Sequence, residues 1–116
     1  MVYLGNFTCK KDVLNEFACA EDELKNCKVL LAWYGYGDYD GSAFVLFEKN
    51  GQLYEVNGGH CSCYGLEGQF EPEETTVEAL RHRIQEGYLG QSDYYDEGVF
   101  DVSLKKILTR WENSRK

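Results

Sequence analysis

The sequence predicts an α+β fold in which a three-stranded antiparallel β-meander packs against about three α-helices. An Asn50-Gly51 dipeptide between two apolar runs is the strongest short signal for a β-hairpin. Apolar residues recur at helical spacing in three other segments. A chain of 116 residues, 43% of them hydrophobic, has the length and apolar content of one domain with its own core. A single domain, residues 1–116, is therefore expected.

The first helix is predicted over residues 10–26, with Thr8 as its N-cap. Its apolar stripe has alternating spacings of four and three: Val13, Phe17, Ala20, Leu24 and Cys27. A break near Cys19-Ala20 into two shorter helices fits the pattern nearly as well.

The meander is predicted from three strands, residues 28–36, 42–48 and 53–57. The first is apolar on both faces, which is typical of an interior strand. A loop over residues 37–41 joins it to the second strand. Asn50-Gly51 then forms the turn of the hairpin, because both residues tolerate the positive φ of a type I′ turn.

Two further helices are predicted after an irregular stretch that ends at Glu74. Thr75 and Glu78 have the spacing of a capping box at the start of one helix, and Gly87 ends it. Its apolar face is Val77, Leu80 and Ile84. Asp101 caps the last helix, whose apolar residues are Leu104, Ile107, Leu108 and Trp111.

The charge is strongly negative, with 20 acidic and 12 basic residues and a net charge of −8. Such a charge opposes binding to nucleic acid or to an anionic membrane and favours a basic partner surface. Residues 67–101 contain ten acids against two arginines, whereas residues 105–116 contain five bases against one glutamate. Acidic residues also keep small domains soluble, which is the simpler interpretation.

No segment indicates a membrane span or a secretion signal. The longest apolar run, residues 29–34, is far shorter than the roughly 18 residues that a span requires. The first residues lack a basic start and an apolar core. Five cysteines without such a signal favour reduced thiols or a metal site over disulfides. A soluble protein of the cytoplasm, without membrane contact, is expected.

Residues 58–65, Gly-Gly-His-Cys-Ser-Cys-Tyr-Gly, are expected to form a loop after a strand. His60, Cys61 and Cys63 are ligand types that zinc requires, and the flanking glycines let the backbone fold around an ion. We predict a structural zinc with His82 completing the set, although Cys9, Cys19, Cys27 or a carboxylate such as Glu67 is an alternative fourth ligand. A plain loop with reduced thiols, or a cysteine nucleophile beside His60, is also compatible with these residues.

Tyrosines and carboxylates occur together in two places, around residues 34–40 and 93–97, and the chain has nine tyrosines in all. Tyrosine is favoured at protein interfaces, and carboxylates beside it suit arginine and lysine on a partner. A core-rim role for half of the tyrosines is the simpler interpretation. The predicted partner-binding residues are Tyr36, Asp38, Asp40, Glu71, Glu73, Glu74, Asp93, Tyr94, Tyr95, Asp96 and Glu97.

Residues 37–69, continuing through Glu71-Pro-Glu-Glu-Thr-Thr-Val-Glu-Ala-Leu-Arg81, resemble a family of small, mostly uncharacterised proteins encoded by bacteriophages and prophages. The resemblance covers about residues 28–87, and its most specific part is Asn-Gly-Gly-His-Cys-Ser-Cys-Tyr-Gly-Leu-Glu-Gly-Gln. Small acidic phage proteins are similar in type to anti-CRISPR and other anti-defence proteins, some of which carry a structural metal. The resemblance therefore implies a viral protein in the host bacterial cytoplasm.

The expected function is binding and not catalysis: inhibition of a host nucleic-acid-handling effector, such as a CRISPR effector nuclease, through an acidic, tyrosine-rich surface. The partner would be the basic surface of that effector and not nucleic acid itself. Two alternatives stay open. One is a metal- or thiol-dependent enzyme centred on His60, Cys61 and Cys63; the other is an accessory phage domain of a different role.

Overall fold

A computed structural model of the chain describes residues 2–5, 7, 9–17, 27–36, 41–60, 70–86 and 100–114. The described residues form five strands and three helices. Their order is β1 (Val2–Gly5), α1 (Lys10–Glu16), β2 (Lys28–Tyr36), β3 (Gly41–Lys49), β4 (Gln52–His60), β5 (Glu73–Thr75), α2 (Val77–Gln85) and α3 (Asp101–Ser114). The strands form one sheet in the order β1-β2-β3-β4-β5. The predicted α+β class is confirmed.

The three central strands are the predicted meander. Strand β3 pairs antiparallel with both β2 and β4. Asn50 and Gly51 have φ angles of 54° and 80°, as a type I′ turn requires. The turn brings Lys49 opposite Gln52 and sets the register of the whole hairpin.

Two edge strands extend the predicted three to five. Strand β1 pairs in parallel with β2, and β5 pairs antiparallel with β4. Both are short, with four and three residues. Strands of this length carry too few positions to show an alternating pattern of their own. Their pairing with a longer neighbour is what makes them strands.

Helices cover both faces of the sheet. On one face, α2 and α3 pack against residues of β2, β3 and β4, among them Leu31, Trp33 and Leu46. On the other face, α1 contributes Val13 and Phe17 to a second apolar cluster. Strand β2 supplies residues to both clusters, which confirms the prediction of an interior strand.

The helix starts correct two predicted caps. The N-cap position of α1 is Cys9, without a side-chain cap, and not Thr8. The N-cap of α2 is Thr76, whose Oγ1 accepts a hydrogen bond of 3.1 Å from the Ala79 N–H. Thr75, the predicted cap, belongs to β5 and is buried. The backbone of Thr75 is held in the sheet, so its hydroxyl cannot cap the next helix. The capping-box prediction was therefore wrong by one residue.

The apolar helical stripes are confirmed where they are described. Val13 and Phe17 are buried, as is Cys27, which lies beyond the end of α1. The predicted faces of α2 and α3 are buried, with Trp111 packed at the margin of the core. The predicted continuation of the first helix over residues 18–26 and the predicted stop at Gly87 lie outside the described residues.

The longest described helix, α3, has 14 residues. None of the described helices has both the length and the apolar character that crossing a bilayer requires.

Candidate functional site

Strand β5 and the residues just before it carry predicted acidic residues at the edge of the sheet. Glu71, Glu73 and Glu74 are all exposed, and we call these three residues the acidic edge. Glu73 lies opposite Glu55 of β4, and Glu74 lies opposite Tyr54. Since side chains alternate along a strand, Glu73 and Glu74 lie on opposite faces of the sheet. The acidic edge therefore presents carboxylates on both sides of the sheet rim.

Charges on an edge strand have a structural role as well. A short edge strand with several charges resists pairing with an edge of another molecule. The Gln52 side chain helps to hold β5 against β4. Its amide donates hydrogen bonds of 3.0 Å to the carbonyl oxygens of both Leu53 and Thr75. The acidic edge is therefore held by the hairpin end of β4.

Beneath the acidic edge lies a buried ion pair. Glu55 is only 3% exposed, and Arg83 of α2 donates from Nη1 to Oε1 at 2.7 Å and to Oε2 at 2.9 Å. The Asn57 side-chain amide donates a third hydrogen bond, 2.8 Å long, to Oε1. A buried carboxylate is tolerated when it is paired and hydrogen-bonded in this way.

The environment of Glu55 holds its carboxyl in the charged form. Burial by itself would raise the pKa of Glu55. Hydrogen bonds from Thr75, Asn57 and Arg83, together with the positive charge of Arg83, outweigh burial and keep the pKa below its ordinary value. Two glutamates directly opposite each other on neighbouring strands would repel. Because Arg83 neutralises Glu55, Glu73 can occupy the position opposite it.

Glu55 and Arg83 are not among the predicted site residues, but the sequence carries a signal for Glu55. Glu55 lies two residues after the apolar Leu53, so both side chains are on the same face of the strand. Leu53 is buried in the core, and a carboxylate on that face requires a partner. No comparable signal exists for Arg83, since four arginines and three lysines occur between residues 81 and 116.

The predicted zinc ligands are described only in part. The first residues of the predicted loop, Gly58, Gly59 and His60, are in fact the end of β4, paired with Ala43, Ser42 and Gly41. The expectation of a loop beginning at Gly58 was therefore wrong. The apolar pattern of the sequence stops at Asn57, but backbone pairing with β3 continues to His60. This pairing keeps the two glycines in the strand.

His82 is exposed on α2, on the side of the helix away from the buried Leu80 and Ile84. Cys61 and Cys63, like the alternative ligands Cys19 and Glu67, lie outside the described residues. Within the described part of the chain, no group of three or more histidine, cysteine, aspartate or glutamate residues is placed to hold a metal ion. The zinc site stays a prediction.

The predicted partner-binding residues separate into two regions of the sheet. The acidic edge lies beside the hairpin half of β4. Tyr36 ends β2 on the same rung as Gly41 and His60. His60 is at the other end of β4, about 17 Å along that strand from Glu55 at the usual rise per residue. The remaining predicted residues lie outside the described part of the chain: Asp38, Asp40, Asp93, Tyr94, Tyr95, Asp96 and Glu97.

Comparison of the chain with protein-family models, with curated proteins and with solved structures finds no match.

Proposed function

We propose that this protein is a bacteriophage-type anti-defence protein, of the anti-CRISPR kind, that binds a basic surface of a host nucleic-acid-handling effector and blocks nucleic-acid loading. The observation that carries the proposal is the acidic edge: Glu71, Glu73 and Glu74 are all exposed at the rim of the sheet. The phage resemblance of residues 28–87 supports the biological setting.

The placement of these charges supports competition with nucleic acid. Glu73 and Glu74 are neighbours in β5, and their side chains lie on opposite faces of the rim because side chains alternate along a strand. Carboxylates on both faces can engage lysines and arginines on the two walls of a groove that binds phosphates.

The fixed position of the acidic edge supports the same conclusion. Pairing with β4 orders the strand before a partner arrives, so binding costs less conformational entropy than it would for a flexible acidic tail. The net charge of −8 also accelerates encounter with a basic surface, most strongly at low ionic strength.

The first experiment identifies the effector. The full chain is immobilised, a lysate of a CRISPR-bearing bacterium is passed over it, and the proteins released by rising salt are identified. A recovered effector is then purified, and its binding to a labelled DNA target is measured by fluorescence anisotropy while the chain is added. The proposal expects the chain to displace DNA, and to do so better at about 50 mM than at about 200 mM salt.

A matched pair of variants separates the acidic edge from net charge. The triple variant E71Q/E73Q/E74Q removes three negative charges at the edge. The control N15K/V102K/N113K changes the net charge by the same amount at exposed helical positions elsewhere. Three lost surface contacts weaken displacement by roughly tenfold or more, whereas the control stays close to the parent chain. Equal losses in both variants, or no displacement of DNA at all, would count against the proposal.

A further inference from the structure

A cleft of about 430 Å³ lies between helices α2 and α3. The described residues that line it are Arg81, Gln85, Lys105 and Thr109. Arg81 and Gln85 are one helical turn apart on α2, and Lys105 and Thr109 are one turn apart on α3. The two helices thus line the cleft with polar side chains that carry hydrogen-bond donors.

The Arg81 guanidinium is held in place at one end of the cleft. Its Nη2 donates to Thr109 Oγ1 at 3.1 Å and lies 2.6 Å from the Glu112 carboxylate. Thr109 Oγ1 in turn donates to the Lys105 carbonyl oxygen at 3.0 Å. Among the described residues, both contacts of Arg81 go through Nη2, so Nε and Nη1 keep their donors for a ligand.

The cleft is cationic in a chain that is acidic as a whole. Arg81 and Lys105 contribute two positive charges, and Glu112 offsets one of them. Within the described part of the chain, the Lys105 ammonium and the Gln85 amide make no hydrogen bond or ion pair. Lys106, exposed next to Lys105 on α3, adds positive potential nearby.

We propose that this cleft binds the phosphate group of a small organic phosphate monoester. With Nη2 engaged by Thr109 and Glu112, Nη1 of Arg81 can donate a charge-assisted hydrogen bond to a phosphate oxygen, and the Lys105 ammonium adds a point charge. The volume is within the roughly 300–1,000 Å³ typical of small-molecule sites, so there is room for an organic group beside the phosphate. The proposal does not rest on the proposed function, because the acidic edge lines no part of the cleft.

The test is a titration of the full, isotope-labelled chain followed by backbone amide chemical shifts. The probes are AMP and glycerol phosphate as monoesters, inorganic phosphate, and adenosine without a phosphate, all at constant ionic strength. Binding is expected to shift amides around Arg81 and Lys105. Either monoester should bind more tightly than inorganic phosphate, and adenosine should produce no shifts there.

Two lysine variants on neighbouring positions make the test specific. Lys105→Gln removes a charge that lines the cleft, and Lys106→Gln removes one that does not. Loss of a charge-assisted hydrogen bond is expected to weaken monoester binding about tenfold in Lys105→Gln, with less than about a threefold change in Lys106→Gln. Lys105 makes no described side-chain contact, so its replacement should leave the melting temperature unchanged.

Several results would overturn the proposal. One is the absence of shifts around Arg81 and Lys105 with both monoesters. Another is an equal loss of affinity in the two lysine variants, which would indicate general electrostatic attraction only. Inorganic phosphate binding as tightly as the monoesters would leave no role for the organic group. A single-stranded DNA that displaces AMP and binds more tightly would assign the cleft to nucleic acid instead.

Discussion

Arg83 of α2 and Glu55 of β4 form a forked ion pair, in which one guanidinium nitrogen, Nη1, contacts both carboxylate oxygens at 2.7 and 2.9 Å. The Glu55 side chain is 4% exposed and the Arg83 side chain 33%. The pair joins residues 28 positions apart in the sequence and fastens α2 to the sheet under the acidic edge. A second arginine of the same helix, Arg81, pairs with Glu112 at the surface, with side chains 45% and 38% exposed.

These two arginines give a matched test of burial. Arg83→Met leaves the buried Glu55 carboxylate without its charged partner and should lower the free energy of unfolding by about 2–3 kcal/mol, less than for a fully buried pair because water reaches Arg83. Arg81→Met breaks an exposed pair and should cost less than about 1 kcal/mol. Urea unfolding measures both. Equal losses in the two variants would show that burial of Glu55 does not set the strength of its pair.

The Glu55 carboxyl also predicts how stability depends on pH. Its pKa in the folded chain lies below the ordinary value of 4.5. As the pH falls past that value, the unfolded chain takes up a proton at Glu55 before the folded chain does, so stability declines until the folded carboxyl is itself protonated. The stabilisation is fully present above the ordinary value.

Glu55→Gln provides the control, since its amide does not ionise in this range. Urea unfolding of both proteins at pH values from about 6 to about 3 should show a steeper decline for the parent chain than for the variant. Parallel declines would mean that other carboxylates account for the acid sensitivity.

The hairpin turn predicts that Gly51→Ala and Asn50→Gly have different effects on the free energy of unfolding. Gly51 has a φ of 80°, so Gly51→Ala forces a Cβ into a left-handed backbone and should cost about 1 kcal/mol or more. Asn50, with a φ of 54°, already occupies that region, and Asn50→Gly should change stability by no more than a few tenths of a kcal/mol. Chemical denaturation measures the difference. A tolerated Gly51→Ala would contradict the type I′ turn.

The predicted zinc site is tested by metal content. If His60, Cys61, Cys63 and His82 hold a structural zinc, untagged protein should contain about one zinc per chain, and a chelator should lower its melting temperature. Cys61→Ser and Cys63→Ser should each remove the metal. Cys27→Ser should retain it although stability falls, because Cys27 lies in the core with Val29 and Phe17.

Elemental analysis gives the answer directly. Less than about a tenth of an equivalent of zinc, with melting unchanged by chelator, would reduce residues 60–63 to a strand end followed by two reduced thiols.

The sequence by itself determined the parts of the fold that depend on neighbouring residues. Asn50-Gly51 fixes the hairpin because the required φ angles are a property of these two residues. The buried faces of α2 and α3 follow from apolar spacing within each helix. The exposure of the acidic edge was equally predictable, because carboxylates are almost never buried without a partner.

Only the tertiary structure decided the features that join distant segments. The β1 strand pairs in parallel with β2, and Arg83 was selected from several basic residues as the partner of Glu55. Thr75 is part of β5, which pairs with β4, and the N-cap of α2 is therefore Thr76. Each of these outcomes depends on which surfaces meet when the helices cover the sheet. Local sequence patterns carry no information about which surfaces pack together, because the free energy of that packing comes from contacts between residues far apart in the chain.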